Sequence, residues 1–476
     1  MVSGKENKDL DYSLMTLDEL IASSNARLVY KADSSKAFSS VVIDSRNAKN
    51  NSLFIPLRGE KQDGHIYIES ALKNGAEVFV VDFDYLEENE NQIVSLCKKY
   101  NVSCIAVKNN LKALQDVAAY YLAKFPNLYK VGITGSSGKT TTKEILSSIY
   151  SQKYNTVATK GNLNSETGLP LSVFEVRPEH EAGIFELGMN RRGEIAEITK
   201  ILLPNAAIIT NIGTAHIGIL GTRQAIAEEK KEIFSCFNDE SLGFVPECEF
   251  TEFLKDVPHG SIFTVPYEGS SLVERVEDAG ISGSKIFYKG NEILFPLPGK
   301  YNVKNALLCI ALAEKNGFSA KEIKSGLEAV RPLFGRSQVA RGFVTYFLDC
   351  YNANPDSMKS AIEFCDSINT EYSKHYILAS MLELGAESEY EHKKIIGDAL
   401  KSDADNLYFF GDGICSAFEN VKISSSKKIY RFKTNQFDAL KNRLKENLCK
   451  DDFVLLKGSR SMELERLESV LKEGEV

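Results

Sequence analysis

At 476 residues the chain has room for about three domains. Its 43% apolar and 26% charged residues are ordinary globular values. A net charge of −8, with pI near 5.6, excludes a broad nucleic-acid-binding face but leaves room for a local basic cleft. No run approaches ~18 consecutive apolar residues, so no membrane span is expected.

The opening segment, Met1 to Asp11, is polar and mixed in charge and has no apolar core for a signal peptide. The nine cysteines are scattered and never form Cys-x-x-Cys, which reads as a reduced cytoplasmic protein with buried thiols. The six histidines do not pair with cysteines at zinc-ligand spacing.

The first ~125 residues alternate short strands and helices as a small α/β unit does. Val41 to Arg46 and Ser52 to Leu57 read as strands, Ile66 to Gly75 as a helix, and Ala76 to Val81 as a strand. Pro126 and Asn127 mark a linker. An apolar run from Tyr129 to Ile133 then reads as a buried strand. It is followed by the small-residue turn Thr134-Gly135-Ser136-Ser137-Gly138-Lys139-Thr140-Thr141-Thr142 and a helix from Lys143 to Tyr150.

Strand, glycine turn and helix are the context a phosphate-binding loop needs. Backbone N–H groups at the turn and helix start point at phosphate oxygens, Lys139 reaches the terminal phosphates, and the Thr140 hydroxyl holds Mg²⁺. The loop is the short form, Gly-x-x-Gly-Lys-Thr, because Ile133 stands where the longer form carries glycine. The plainer reading is a glycine turn with an incidental lysine.

Further along, Ala182 to Leu187 and Ala206 to Asn211 read as strands of a parallel sheet covered by helices. Residues 243–298 read as an antiparallel flank. A third α/β pattern begins near Pro332, with strands at Val344–Asp349, Tyr376–Ala379, Asn406–Phe410 and Phe453–Lys457.

Ligands bind outside the carboxyl ends of strands in such sheets. Glu186, His216, Asp349 and Lys457 all fall at or just beyond strand ends, which together favour a site over four isolated surface residues. Lys230 sits in Ala-Glu-Glu-Lys-Lys-Glu, and composition alone reads it as a charged, solvated helix face. Asn302 and Asn305 open a helix, where Asn302 reads as a plain N-cap. Arg336, near the start of the third pattern, either clamps phosphate or pairs with a surface acid.

Taken in order, these segments resemble the Mur ligases of peptidoglycan synthesis over nearly the whole chain, from about Asp44 to Arg460. The resemblance is carried by Ile-Asp44-Ser45-Arg46, by Leu53 to Gly59 with Asp63-Gly64-His65, by the loop Thr134–Thr142, by Gly161-Asn162-Leu163-Asn164, by Glu186-Leu-Gly-Met-Asn190 and by Asn211-Ile-Gly-Thr-Ala-His216. Asp349-Cys350-Tyr351-Asn352-Ala353-Asn354-Pro355, Met381 to Gly385 and Lys457-Gly-Ser-Arg460 are similar to the members that add D-alanyl-D-alanine to a UDP-N-acetylmuramoyl-tripeptide. Three positions depart from the family pattern: Cys350, Ala379-Ser380, and Gly218, which stands where an acid is common after the histidine.

The resemblance implies an α/β chain of three domains: a small N-terminal domain that binds the UDP-substrate (1–126), a central P-loop-type ATPase domain on a parallel sheet (127–331), and a Rossmann-like C-terminal ligase domain (332–476). It implies ATP-driven amide formation through an acyl phosphate, with Lys139, Lys230 and His216 as catalytic groups. ATP would meet Gly135, Ser136, Ser137, Gly138, Lys139, Thr140, Thr141, Asn305, Arg336 and Asp349. Mg²⁺ would be held by Thr140, Glu186, His216 and Lys230, the last carbamylated by CO₂. Substrate contacts would come from Asp44, Ser45, Arg46, Asn162, Asn164, Tyr351, Asn352, Asn354 and Lys457. The expected partners are the small-molecule substrates alone, with no nucleic acid, and a cytoplasmic monomer is expected. A folylpolyglutamate synthase-like ligase and a nucleotide-binding regulatory pseudoenzyme are the alternatives; the Asp44–His65 region argues against the first, and the set Lys139, Thr140, Glu186, His216, Lys230 and Asp349 against the second.

Overall fold

The computed structural model describes residues 12–32, 37–59, 61–418, 421 and 426–473. The polar stretch from Met1 to Asp11 lies outside the described residues. The chain is mixed α/β and forms two compact units. Of the described residues, one gathers those up to 130 with 157–189 and 196–204; the other gathers 131–156, 190–195 and those from 205 onward.

In the first unit a five-stranded sheet runs in the order Arg27–Tyr30, Ser103–Val107, Ala76–Asp82, Ser52–Phe54, Ser40–Val42. Only Arg27–Tyr30 is antiparallel to its neighbour. Ser103–Val107 is buried along its whole length, as a central parallel strand covered on both faces must be. The segment expected as one strand from Val41 to Arg46 stops at Val42. The Asp44 carboxylate accepts from the Arg46 N–H and turns the chain into a short 3-10 helix, Ser45–Asn47. The expected helix from Ile66 begins earlier, as the 3-10 turn Gly64–Tyr67, and continues as Ile68–Lys73.

The second unit holds the phosphate loop. Ser261–Val265, Leu242–Pro246, Ala206–Ile209 and Tyr129–Thr134 pair in parallel. The stretch expected as an antiparallel flank is therefore split. Its first two strands extend the parallel ladder, and only Arg275–Asp278, Ser284–Tyr288 and Asn291–Phe295 form an antiparallel sheet. The mixed pattern arises because Gly243, Phe244 and Val245 are buried on both faces, whereas Ser284–Tyr288 alternates buried and half-buried.

The helix after the loop spans Lys139–Tyr150, four residues longer than the apolar spacing alone predicts. Its buried Ile145, Leu146, Ile149 and Tyr150 pack on the helices Lys300–Lys315 and Ala320–Ala329. The C-terminal sheet runs Gln338–Arg341, Thr345–Asp349, Phe453–Lys457, Lys374–Ala379, Asn406–Phe410, Lys428–Phe432, all parallel except the first. Lys374–Ala379 shows why both faces are covered. Tyr376 and Leu378 enter a core with Met358 and Ile396, while Ile377 and Ala379 enter a second core with Leu440 and Leu464. The carboxyl ends of Thr345–Asp349 and Phe453–Lys457 thereby bring Asp349 opposite Lys457.

Gly326 tests the packing behind the loop helix. A Cβ there would lie 2.4 Å from the Ile149 Cα, and the Gly326 carbonyl already accepts from the Ser148 hydroxyl at 2.6 Å. Gly326→Ala is expected to destabilise this unit by ~1–3 kcal/mol through overpacking, read as a lower midpoint of urea unfolding. An unchanged midpoint would mean that the two helices are free to move apart.

Candidate active site

The phosphate loop is shaped from beneath by the chain end after Ala206–Ile209. The Asn211 side chain accepts from the Ser137 N–H at 2.9 Å and donates to the Ser137 hydroxyl at 2.7 Å. The Asn211 backbone carbonyl accepts from the Ser136 N–H, and the Gly213 N–H donates to the Ser136 hydroxyl at 2.9 Å. The amides of Ser136 and Ser137 are thus engaged in holding the loop's shape. Two glycines are obligatory for it. Gly135 lies at φ +153° with its would-be Cβ 1.8 Å from the Thr210 hydroxyl. Gly138 lies at φ +79°, where a Cβ would meet the Asn305 amide at 2.8 Å.

Gly138 is also the N-cap position of Lys139–Tyr150, so the positive end of that helix dipole faces the loop. The Lys139 ammonium folds back onto the Gly135 carbonyl at 2.8 Å. Thr140 is buried in the first helical turn, beside the half-buried Thr141. Asn305 is buried against Gly138, as a loop-facing residue should be. Asn302 is not the N-cap expected for its helix. The cap position is Gly299, and the Asn302 amide donates to the Pro298 carbonyl from inside the first turn.

His216 stands seven residues beyond the end of the strand Ala206–Ile209, on a loop of unusual backbone. Its φ of +65° is left-handed, rare for a residue with a side chain, and it precedes the short helix Ile217–Leu220. The imidazole is largely buried, and Nδ1 makes no hydrogen bond; the nearest carboxylate, Glu383, lies 3.7 Å away. Burial, reinforced by the positive charge of Lys139, pulls its pKa down to about 3. The ring is therefore neutral at physiological pH, the form that ligates metal.

Lys230 overturns the charged-face reading. It lies at the end of the helix Arg223–Lys231 with 1% of its surface exposed. Burial, and then the Lys139 charge, push its ammonium pKa well below the ordinary lysine value, with Glu229 opposing. Its neighbour Lys231 is half-buried, with its ammonium 4.3 Å from the Phe253 ring centroid. Glu229, which drew no notice in the sequence, accepts from the N–H groups of Gly193 and Ile195 at 2.8 and 3.1 Å. It caps the start of Glu194–Leu202, a structural use of charge that no local pattern announces.

At the carboxyl ends of the C-terminal sheet, Lys457 is buried and bonds Asp349 at 2.7 Å and the Asn352 carbonyl at 2.9 Å. The other Asp349 oxygen accepts from the Ser337 N–H at 3.1 Å. The Arg336 guanidinium stacks 4.1 Å from the centre of the Tyr351 ring, a contact distinct from either role considered for it. Asn352 accepts from the next N–H, that of Ala353. Asn354 caps the helix Pro355–Ser367, and its amide reaches the Ser136 carbonyl at 3.4 Å.

In the first unit, Glu186 ends the strand Ala182–Glu186 with its carboxylate buried. The Asn164 amide donates to that carboxylate at 2.8 Å, and the Asn164 N–H donates to the Asn162 carbonyl. Asp44 and Arg46 form an exposed ion pair with each other at 2.6 Å, which holds the Asp44 carboxyl down to about 2, and Ser45 between them is buried.

Residues 37–122, 133–313 and 335–460 match, in turn, the Mur ligase family catalytic domain, the Mur ligase middle domain and the Mur ligase glutamate ligase domain. The UDP-N-acetylmuramoyl-tripeptide–D-alanyl-D-alanine ligase of Treponema pallidum is 48% identical, over 97% of this chain and 99% of that one. This chain belongs to the Mur ligase family. Among solved structures, MurF from Acinetobacter baumannii superposes with a TM-score of 0.84 at 28% identity, covering 96% of this chain and 98% of that one. MurF ligase from Thermotoga maritima in complex with ADP gives 0.75 at 25% identity, covering 91% and 96%. The Mur ligase fold accounts for the three successive α/β segments. Among the described residues no helix is long and apolar enough to cross a membrane, and all nine cysteines are free thiols.

The neutral His216 has a consequence for pH. A histidine whose folded pKa lies below its unfolded value near 6.5 binds fewer protons folded than unfolded. Its contribution to stability is therefore complete above about pH 6.5 and is lost as pH falls from there towards 3. The His216 ring resonance is expected to stay constant from about pH 8 to pH 5 by NMR. A midpoint near 6 would show that the ring is solvated.

Proposed function

We propose that this chain is an ATP-dependent UDP-N-acetylmuramoyl-tripeptide–D-alanyl-D-alanine ligase, acting in the cytoplasm on peptidoglycan precursors. The observation that carries the reading is the grouping of Lys139, His216 and buried Lys230 around a glycine-shaped phosphate loop, in a chain 48% identical to a ligase of that name. The domain limits we assign, 1–126, 127–331 and 332–476, are supported by the three family matches.

In the proposed reaction the tripeptide carboxylate attacks the γ-phosphate of ATP and gives an acyl phosphate and ADP. The amine of D-alanyl-D-alanine then attacks the acyl carbon, and phosphate leaves. Lys139 neutralises charge on the β- and γ-phosphates as two anions approach. Asn305 and the helix-start amides beyond Gly138 orient the nucleotide, with Arg336 and Asp349 towards its far end. Asp44, Ser45 and Arg46 are assigned to the uridine end, and Asn162 and Asn164 to the tripeptide side. Tyr351, Asn352, Asn354 and Lys457 are assigned to the incoming dipeptide.

Magnesium fits the donors present. Within the second unit, a largely buried neutral imidazole with an unbonded Nδ1 and the buried Thr140 hydroxyl are nitrogen and oxygen donors, and in the first unit Glu186 is a buried carboxylate. Thr140, His216 and Lys230 would serve as magnesium ligands in the second unit, and the family resemblance assigns Glu186 of the first unit the same role; such ions screen phosphate charge. Because magnesium prefers oxygen donors, Lys230 would serve as an anion rather than as an amine. A neutral buried amine adds CO₂ and loses a proton, and the resulting carbamate is a carboxylate on a long arm. The depressed ammonium pKa is the condition for that addition.

Phosphate release should require both UDP-N-acetylmuramoyl-tripeptide and D-alanyl-D-alanine and should be lost in Lys139→Ala by about 10²–10⁴-fold. Single amino acids such as lysine or glutamate should support little turnover, because buried polar groups built for a dipeptide backbone would be left unpaired. Equal turnover with a single L-amino acid would assign the chain to a different ligase activity.

Lys230→Ala should be nearly inactive and regain partial activity in formate or acetate, which can enter the space of the missing arm and supply its carboxylate. Lys231→Ala is the control on the same helix, expected to lose no more than the ~0.5–1 kcal/mol of an exposed cation–π contact. If the two variants behave alike, Lys230 is not a ligand.

A further inference from the structure

The His216 loop is gripped by the C-terminal sheet domain. Asp356, in the first turn of the helix Pro355–Ser367, places one carboxylate oxygen on Thr214. That oxygen accepts from the Thr214 N–H at 2.6 Å and from the Thr214 hydroxyl at 2.8 Å. The residue before it, Gly213, has no room for a side chain: a Cβ would stand 2.4 Å from the same oxygen and 3.3 Å from Ser136. Two residues past His216 the pattern recurs. A Cβ on Gly218 would lie 2.7 Å from the Gly385 nitrogen and 2.9 Å from the Glu383 carbonyl. Glu383, itself at φ +64°, brings its carboxylate within 3.7 Å of His216 Nδ1.

The loop is therefore held on both sides of His216 by residues more than 140 positions away in sequence, each contact made possible by a glycine. Left to itself, a histidine at φ +65° in a stretch of Gly-Thr-Ala would relax. Asp356 is well made for restraining it. A carboxylate at a helix N-terminus is stabilised by the helix dipole, and a charged acceptor makes a stronger bond than a neutral one. Gly218 gains a reason as well: the acid expected after the histidine is absent, and the space it would fill is taken by the backbone of Leu384 and Gly385.

We propose that Asp356 is a positioning residue, which fixes the Gly213–Gly218 segment and so aims the His216 imidazole. The role rests on the reading of His216 as a metal ligand. Asp356 touches neither substrate nor metal; it acts through Thr214.

The test uses the full chain. Amide exchange over residues 210–220, followed by mass spectrometry without nucleotide, reads the clasp independently of activity. Asp356→Ala should raise exchange there by at least about tenfold, with no comparable change over residues 374–379. In the ligase assay it should raise the magnesium concentration for half-maximal rate by about tenfold or more, the scale expected for a displaced ligand. Asp356→Asn, which keeps an acceptor oxygen, should recover most of the protection. Thr214→Val, which removes only the hydroxyl bond, should fall between, and it serves if Asp356→Ala does not fold. Unchanged exchange in a folded Asp356→Ala overturns the clasp. Faster exchange with unaltered magnesium dependence overturns the positioning role. If His216→Ala is inactive while Asp356→Ala alters neither readout, the clasp alone has failed. If Asp356→Ala loosens the loop while His216→Ala keeps full activity, the metal reading of His216 has failed.

Discussion

A lysine amine with 1% of its surface exposed, close to a second cation, cannot hold its charge cheaply. That constraint organises the centre of this molecule. Burial of an unpaired ammonium costs several kcal/mol on the scale of effective ion desolvation, so the amine is driven to its neutral form. The same field keeps His216 neutral. Two basic side chains thereby become a nucleophilic amine and a donor imidazole, while Lys139 stands at the mouth of a helix dipole, on the Gly135 carbonyl. One cation at the loop with a neutral amine and a neutral imidazole behind it is an arrangement set up by burial and by the Lys139 charge.

Backbone proximity is the second organising feature. Gly135, Gly138, Gly213 and Gly218 each let another segment approach closer than any side chain would allow. What approaches differs in each case: Thr210, Asn305, Asp356, and the turn at Glu383–Gly385. The phosphate loop and the His216 loop are thus set by their neighbours more than by their own hydrogen bonds. Asn211 joins the two, holding Ser137 from the strand end that leads on to His216. A ligase that must keep water from an acyl phosphate benefits from loops so closely covered.

The sequence by itself determined much of this. The strand before the phosphate loop, the helix after it and the four buried strands of the C-terminal sheet followed from apolar runs and their punctuation, because buried parallel strands leave a clear hydrophobic signature, whereas the half-exposed outer strands Gln338–Arg341 and Lys428–Phe432 do not. The phosphate loop was legible because Gly-x-x-Gly-Lys-Thr has a mechanical meaning between a strand and a helix. The ordered motifs from Asp44 to Arg460 carried the family, and Glu186, His216, Asp349 and Lys457 were recognisable as polar residues at strand ends.

Only the tertiary structure decided the rest. Lys230 and Lys231 are neighbours of identical charge, and nothing local says that one is buried and the other lies over Phe253. Asn302 looked like a cap, but the helix starts one turn earlier in function, at Gly299, because the Pro298 carbonyl claims its amide. Residues 243–298 read as an antiparallel flank, but pairing partners placed two strands in the parallel ladder and only three in an antiparallel sheet. Asp356 was one acid in a helix first turn until Thr214, 142 residues earlier in the chain, was brought to it. The division has a simple physical cause. Periodicity and turn chemistry act over a few residues and are written in order along the chain, whereas burial, electrostatic environment and close backbone approach are properties of what the fold places alongside.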